Sequence, residues 1–407
     1  MNDQPIHAGP PEAAISAWLA TQQDAMLALL QRMVDIDSGS YDKPGIDAVG
    51  EVVREFLHVH GVAVETIPRT RHGDCLRAAV AADTPGGLTS GGNAPGHVML
   101  LGHRDTVFPK GEVARRPFTH DGDTAHGPGV ADMKAGLVMN CFVLAAFARF
   151  GGAPSPLIGL FTGDEEIGSP EGREIIEAQA RGARAVFNSE PGRPTADFGG
   201  NVVTGRKGGV FMKLAITGRA AHSGGNWAEG ISAIEELARK VQAIHALTDL
   251  DRGVTLNVGL IAGGQSVNTV APSATAEIDL RYVQPGDRED LLARIGAIVE
   301  RSYVPGTTAT LEIAGDFLPM SESDGSRRLF DAYAAAAGHA GFHPKGEFVG
   351  GCADSGFTAN VGAPTICGVG PVGGRAHTPE EFLRTDTLVP RAQAVARAIL
   401  GLEAAGL

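Results

Sequence analysis

Leu157-Ile158-Gly159-Leu160-Phe161-Thr162 is an unbroken apolar run that ends in Gly163-Asp164-Glu165-Glu166-Ile167-Gly168. Its length suits a strand, and the lack of polar alternation predicts burial on both faces of a sheet. Where the strand stops, glycines bracket two adjacent carboxylates. The arrangement comes twice more. Val98-Met99-Leu100-Leu101 leads into Gly102-His103-Arg104-Asp105-Thr106-Val107, and Ala185-Val186-Phe187 leads into Asn188-Ser189-Glu190-Pro191. Helices read over 134–149 and 170–180. This alternation predicts an α/β fold, a mixed, mainly parallel sheet with helices on both faces. Ligands collect at the carboxyl ends of such strands, which is where three polar motifs fall in succession.

Outward from this centre, residues 1–12 read as a flexible, polar N-terminus. Residues 13–34 read as an amphipathic helix with Leu27, Leu30, Met33 and Val34 on one face, and 46–59 as a second. The stretch 84–96 is rich in Gly, Ser and Pro and reads as an exposed loop. Past Arg206-Lys207-Gly208-Gly209 the pattern changes. Val210–Thr217 alternates like a half-exposed strand, and 228–247 reads as a helix with Ile231, Ile234, Leu237, Val241 and Ile244 on one stripe. Strands at 254–261 and 274–283, a helix at 287–303 and a strand at 308–314 complete a β-α-β-β-α-β order, the pattern of a ferredoxin-like α+β module. Helices at 325–341, 353–361 and 385–402 and a strand at 364–369 then resume the first pattern. The reading is therefore a discontinuous catalytic domain, 13–206 with 321–407, carrying an inserted module at 207–320.

Two further segments place metal-ligating residue types beside small ones: Gly127-Pro128-Gly129-Val130-Ala131-Asp132-Met133-Lys134 and Arg375-Ala376-His377-Thr378. Two histidines and three carboxylates can ligate two divalent ions if one carboxylate bridges, and zinc suits this mixture. Asp105, two residues after His103, can accept the other ring N–H and orient it. If Glu166 is a ligand, Glu165 is left over to move protons. Asp132 as a bridge would have a strongly depressed pKa; the competing reading is a plain helix N-cap. Each motif alone has such a competitor: a strand-end histidine, an acidic loop, a surface Glu190 or His377. Within the module, His222 lies among small residues and can stabilise an oxyanion, or be a solvated loop residue. Arg281, Asn268 and Lys207 could together hold a substrate carboxylate, or Arg281 could pair with Asp279 or Asp287.

Hydrophobic content is 43% and charged content 20%, as in soluble globular enzymes. A formal net charge of −13 argues against nucleic acid or an anionic membrane as partner. The four cysteines are scattered and read as buried free thiols. No basic-then-apolar leader opens the sequence and no apolar run reads as a membrane span, so the expectation is a cytoplasmic protein.

Taken together, the five motifs resemble the dizinc family that includes glutamate carboxypeptidase of the carboxypeptidase G type, aminoacylase, succinyl-diaminopimelate desuccinylase and acetylornithine deacetylase. The resemblance runs from about residue 13 to 402. It implies a zinc exopeptidase-like catalytic domain with two zinc ions per chain, cobalt or manganese being possible substitutes. By the family pattern His103, Asp132 and Glu190 hold one ion, and Asp132, Glu166 and His377 the other. The resemblance also implies Glu165 as general acid/base, Asp105 as orienter and a cis Asp132–Met133 peptide; Gly351 is a further candidate substrate contact beside Arg281, Asn268 and Lys207. The resemblance further implies a homodimer through a lid module whose His222 reaches the partner's site. His103-Arg104-Asp105-Thr106-Val107-Phe108-Pro109-Lys110, Arg116-Pro117-Phe118 and Gly127-Pro128-Gly129 most resemble the carboxypeptidase G branch. That implies release of a C-terminal glutamate-like residue from a small N-acyl amino acid or short peptide. Arg104 and His126 depart from the residues common there. The alternatives are an N-acyl amino acid deacylase or dipeptidase of the same chemistry, or a non-catalytic metal- or peptide-binding protein, against which the retention of Glu165 argues.

Overall fold

The computed structural model describes residues 12–82 and 96–407. The readings of 1–11 and of 84–95 lie outside the described residues. The chain divides into two compact units, one of Met1–Gly205, Glu322–Val349 and Phe357–Leu407, the other of Arg206–Ser321 and Gly350–Gly356.

The larger unit is built on an eight-stranded mixed sheet in the order Ala63–Ile67, Cys75–Val80, Leu157–Thr162, Val98–His103, Ala185–Asn188, Thr365–Cys367, Val202–Arg206, Gly346–Val349. The four strands from Leu157–Thr162 to Thr365–Cys367 are mutually parallel, and Cys75–Val80 joins them antiparallel. These central strands are the unbroken apolar runs, and the structure supplies their physical reason. Val98, Leu100, Leu157, Phe161, Ala185 and Phe187 pack into one core, and the alternate residues Met99, Leu101, Ile158, Leu160 and Val186 are buried too. A strand covered on both sides has no solvent face to make polar. Ala135–Arg149 is the central helix, buried from Ala135 to Phe147, and it packs among Glu12–Ala20, Gln23–Val34, Lys43–Val59 and Leu388–Leu400. A helix apolar all round must sit in a core. By length and composition Val130–Arg149 could cross a membrane, which corrects the reading that no such run exists; here that stretch is enclosed by the fold.

The expected helix at 13–34 is two helices, Glu12–Ala20 and Gln23–Val34. They part where the N–H groups of Thr21 and Gln22 turn back to the carbonyls of Trp18 and Leu19 and the Thr21 hydroxyl donates to Trp18.

The smaller unit has a four-stranded antiparallel sheet in the order Thr255–Gly263, Ser273–Tyr282, Gly208–Thr217, Thr308–Phe317. Its helices are Ala233–His245 and Asp287–Glu300. The first starts five residues later than 228, because the Ser232 side chain accepts the Glu235 N–H at 3.1 Å and caps it. Its buried stripe is Ala233, Glu236, Leu237, Lys240 and Ile244, while Ile234 is 46% exposed. Counting isoleucines missed this register because the stripe contains a buried ion pair, Lys240–Glu236 at 2.8 Å. Gly350–Gly356 also belongs to this unit, although the sequence places it in the returning segment. There the Gly351 carbonyl accepts from Arg206 at 3.1 Å and the Cys352 sulfur from Arg281 at 2.7 Å.

Candidate active site

The parallel strands Val98–His103, Leu157–Thr162 and Ala185–Asn188 end side by side. His103, the Glu165-Glu166 turn and Glu190 therefore emerge at one edge of the sheet. The Gly127–Lys134 turn brings Asp132 to the same edge. The turn is tight: Gly129 has φ +70, and a Cβ there would lie 2.5 Å from the Thr106 methyl. The Asp132–Met133 peptide is cis. The following helix is capped without any side chain, so the Asp132 carboxylate does not serve as N-cap. It faces two imidazoles instead. Gly136 lets this helix approach Glu190, since a Cβ there would fall 2.0 Å from the Ser189 carbonyl. His377 arrives on a loop in which Arg375 and His377 both have positive φ, a conformation costing roughly 1–3 kcal/mol for a non-glycine residue.

His103 Nε2 lies 3.3 Å from Asp132 Oδ1 and 3.5 Å from Glu190 Oε1. His377 Nε2 lies 3.4 Å from Asp132 Oδ2 and 3.1 Å from Glu166 Oε2. Each oxygen of Asp132 thus faces a different histidine. Two readings compete for these spacings. Direct charge-assisted hydrogen bonds would close to about 2.7–2.9 Å. Ligand atoms held about 2.0–2.1 Å from one tetrahedral zinc ion would stand about 3.4 Å apart. The observed separations fit the second. His103 Nε2, Asp132 Oδ1, Glu166 Oε1 and Glu190 Oε1 are also buried without a hydrogen-bond partner among the described residues, a costly state that a cation would relieve.

The electrostatics point the same way. Burial alone would lower His103, but the carboxylates around it, Glu165 foremost, hold it well above its ordinary value. His377, facing Asp132 and Glu166, is raised to about 10. Burial, then the Asp132 charge, push Glu166 up to about 7. Burial would raise Asp132 as well, yet the two imidazoles hold it well below the usual carboxylate range.

Asp105 is buried beneath the cluster, with its Oδ1 3.3 Å from His103 Nδ1. It also accepts the backbone N–H groups of Glu165 and Glu166, both at 3.1 Å, and the Ser40 hydroxyl at 2.7 Å. The carboxylate thereby seats the turn carrying both glutamates, while His103 Nδ1 meets the Asp105 backbone carbonyl at 3.0 Å. Glu165 is 7% exposed, with its carboxylate 3.8 Å from His103 Nε2.

Glu381 is a residue that sequence reading missed. It is fully buried and accepts three backbone N–H groups, from Gly129 at 3.0 Å, Ala131 at 2.8 Å and Asp132 at 3.0 Å. It clamps the turn carrying Asp132 to the loop carrying His377. Its one signal was an acidic pair, Glu380-Glu381, close behind His377, which reads as a solvated surface. Arg104, a departure noted above, is buried with its guanidinium donating to the carbonyls of Thr162, Ile46 and Asp74; it braces the strand ends from behind.

His222, Asn268, Lys207, Arg281 and Gly351 belong to the smaller unit. His222 is exposed, and its Nδ1 accepts the N–H groups of Gly224 and Gly225 at 3.1 and 3.0 Å. That fixes the tautomer with the proton on Nε2, a donor. Asn268 sits beside it, its carbonyl accepting the Ser223 N–H. Arg281 pairs with Asp279 at 2.8 Å and stacks on Phe211, and Lys207 donates to the Gly253 carbonyl at 2.7 Å. The expectation that Asn268 joins Arg281 and Lys207 around one carboxylate needs correcting. Arg281 lies opposite Gly209 at the far end of the strand Ser273–Tyr282, whereas beyond the near end, where the ladder stops at Ser273 and Thr217, an isolated bridge pairs Thr269 with His222. At ~3.3 Å per residue the two ends stand roughly 25 Å apart, too far for one carboxylate within a chain.

A histidine–carboxylate cluster spaced for cations at the carboxyl ends of parallel strands, with a buried carboxylate beside the ligand pairs, defines a metal-dependent hydrolase. The chain belongs to peptidase family M20/M25/M40, whose family model matches residues 99–401. It is 27% identical to carboxypeptidase G2 of Pseudomonas sp. (strain RS-16), over 94% of this chain and 90% of that one. It is 33% identical to succinyl-diaminopimelate desuccinylase of Stenotrophomonas maltophilia (strain K279a), over 72% and 80%. Its fold matches the crystal structure of the M20 family metallo-carboxypeptidase Sso-CP2 from Sulfolobus solfataricus with a TM-score of 0.75 at 18% identity, over 92% and 98%.

Proposed function

We propose that this M20 family hydrolase releases a C-terminal glutamate-like residue from an N-acyl or short peptidyl group. In this reading His103, Asp132 and Glu190 hold one zinc ion and Asp132, Glu166 and His377 a second. The observation that carries it is Asp132, whose two oxygens face His103 and His377 at 3.3 and 3.4 Å. Bound zinc would supply Lewis acidity, polarising the scissile carbonyl and acidifying water. The protein's own part is positional. Glu165, outside both ligand sets, takes a proton from the attacking water and returns it to the leaving nitrogen. Asp105 holds the Glu165 backbone so that this carboxylate stays in place. His222, protonated on Nε2, offers its N–H to the developing oxyanion.

Lys207 and Arg281, at one end of the smaller unit's sheet, would grip the substrate carboxylate. His222 and Asn268, at the other end, would act on the site of a second chain. A homodimer through 207–320 is supported by the outer strand Thr255–Gly263, where Leu260 and Ile261 are 63% and 69% exposed. The likeness to carboxypeptidase G2 across most of the chain supports the glutamate preference. Four free cysteines suit a reducing cytoplasm. Zinc analysis together with turnover of N-benzoyl-glutamate tests the reading. About two zinc ions per chain are expected, with hydrolysis of the glutamate and little of its α-amide. Saturation at one ion, or equal cleavage of acid and amide, would sink the bridged site or the carboxylate grip respectively.

A further inference from the structure

The central helix Ala135–Arg149 is buried at every residue from Ala135 to Phe147, and over that stretch its side chains are apolar with one exception, Asn140. An amide disfavours a helix interior and is costly to bury unless its groups are bonded. The sheet bonds both of them. Asn140 Nδ2 donates to the Leu101 carbonyl at 3.3 Å, and its Oδ1 accepts the Ser189 hydroxyl at 2.7 Å. A carbonyl oxygen only accepts, so the amide nitrogen must face Leu101 and the amide oxygen Ser189. Neither partner is on the helix. Leu101 lies on the strand that ends in His103, and Ser189 directly precedes Glu190.

The place of these bonds gives Asn140 its leverage. The ladder between the strands Val98–His103 and Ala185–Asn188 stops at Leu101 and Asn188. One backbone bond follows it, from the Ser189 N–H to the Leu101 carbonyl at 2.9 Å. Asn140 spans the same two residues, so a side chain continues the pairing where the backbone lets go. Just beyond, His103 Nε2 faces Glu190 Oε1 at 3.5 Å. The start of the helix is tied to the same strand ends. The Met133 sulfur accepts the His103 N–H at 3.3 Å, and Gly136 lets the helix come up to the Ser189 carbonyl. Asn140 follows Gly136 by four residues and so shares its face. The helix that begins behind Asp132 is thereby locked in register with the strand ends carrying His103 and Glu190. The two bonds of Asn140 leave aside the segments of Glu166 and His377.

Resting on the two-ion reading above, we infer that Asn140 is a positioning residue for one ion, the one assigned to His103, Asp132 and Glu190. It touches neither ion nor substrate; it keeps the strand ends at ligand spacing. The test is zinc affinity by chelator competition, with urea midpoints measured alongside. Asn140→Leu has the same branched shape without the bonds, and should weaken one zinc ion by about 10–100-fold and the other far less. In a His377→Ala background, which spares that ligand set, the loss should persist. In a Glu190→Ala background it should vanish, because the ligand it acts through is gone. Asn140→Leu also orphans the Ser189 hydroxyl and so lowers the midpoint. Adding Ser189→Ala removes the orphan, since Leu101 keeps the Ser189 N–H, and should restore the midpoint without restoring the affinity. Ser189→Ala alone is the milder change and should weaken the same ion, which keeps the test open if Asn140→Leu does not fold. Unaltered affinity, equal weakening of both ions, or affinity that returns together with the midpoint overturns the inference and leaves the two-ion reading standing. A wild type that saturates at one ion overturns that reading instead; Asn140 then keeps its role if Asn140→Leu weakens that ion and loses it otherwise.

Discussion

One peptide bond separates Glu165 from Glu166, and the proposed reading gives them different tasks. Glu166 points to His377 and is pushed up to about 7, while Glu165 sits beside His103 outside the closer ligand pairs. Glu165→Gln should lower kcat by roughly 10²–10⁴-fold and leave bound zinc unchanged. Zinc lost from Glu165→Gln but kept in Glu166→Gln would exchange the two roles. Glu381 makes a second prediction at this scale. Its carboxylate accepts three N–H groups, and an amide would turn a donor toward one of them. Glu381→Gln should weaken zinc binding about 10–100-fold, as loss of groups that orient ligands does, measured by chelator competition. Unaltered affinity would show that the Asp132 turn holds its shape alone. Asp105 shows in the sequence as a partner for His103, but its hold on the Glu165-Glu166 turn does not, nor does the hold of Glu381 on the Asp132 turn. Their weight comes from the backbone N–H groups around them, which leave no mark on side-chain pattern.

At the scale of elements, the apolar strands were legible because burial on both faces leaves one composition open to them. Helix registers were less so. In Ala233–His245 the face toward the sheet includes Glu236 and Lys240, side chains that a hydrophobic stripe excludes by definition. Lys240 also donates to the carbonyls of Ile298, Val299 and Arg301 at 2.8, 2.9 and 2.6 Å, satisfying the C-terminal end of the neighbouring helix. Replacing one partner leaves a buried charge, so Lys240→Met should cost about 3–5 kcal/mol, read as a lower urea midpoint. Burial would raise the Glu236 carboxyl, but Lys240 and the N–H groups of Val304 and Tyr303 hold it below its ordinary value. A carboxyl depressed in the folded state stabilises above its unfolded pKa and loses that contribution as pH falls through the folded one. The gap between wild type and a Glu236→Gln variant should therefore narrow on acidification below about pH 4.5. A gap constant with pH would mean that Glu236 titrates alike in both states.

For the whole molecule, the proposed dimer places His222 in the partner's active site. The larger unit holds every candidate metal ligand and Glu165, and the smaller one holds His222. Mixing inactive Glu165→Gln chains with inactive His222→Ala chains would then create hybrids in which one site has both groups intact. Activity should return, up to about half that of a wild-type dimer, scaled by the fraction of hybrids formed. Demonstrated subunit exchange without recovery would place His222 in its own chain's site or in none. Sedimentation should show a dimer that Leu260→Glu with Ile261→Glu dissociates; a dimer indifferent to those charges would move the interface elsewhere.

The α/β class, the parallel centre of the mixed sheet and the alternation of its strands and helices were determined by the sequence itself. Period and composition report how many faces of an element are buried, and that is a local property. The residue types at the strand ends likewise restrict the chemistry to imidazole and carboxylate. Distance was left to the tertiary structure. His103 and His377 are 274 positions apart in the chain, yet both meet Asp132 within 3.4 Å. The structure likewise put Glu381 under the Asp132 turn and drew Gly350–Gly356 into the smaller unit. It also set Asn268 at the opposite end of a strand from Arg281. Contacts between segments far apart in the chain depend on how the core packs, and no periodicity in one segment encodes the position of another.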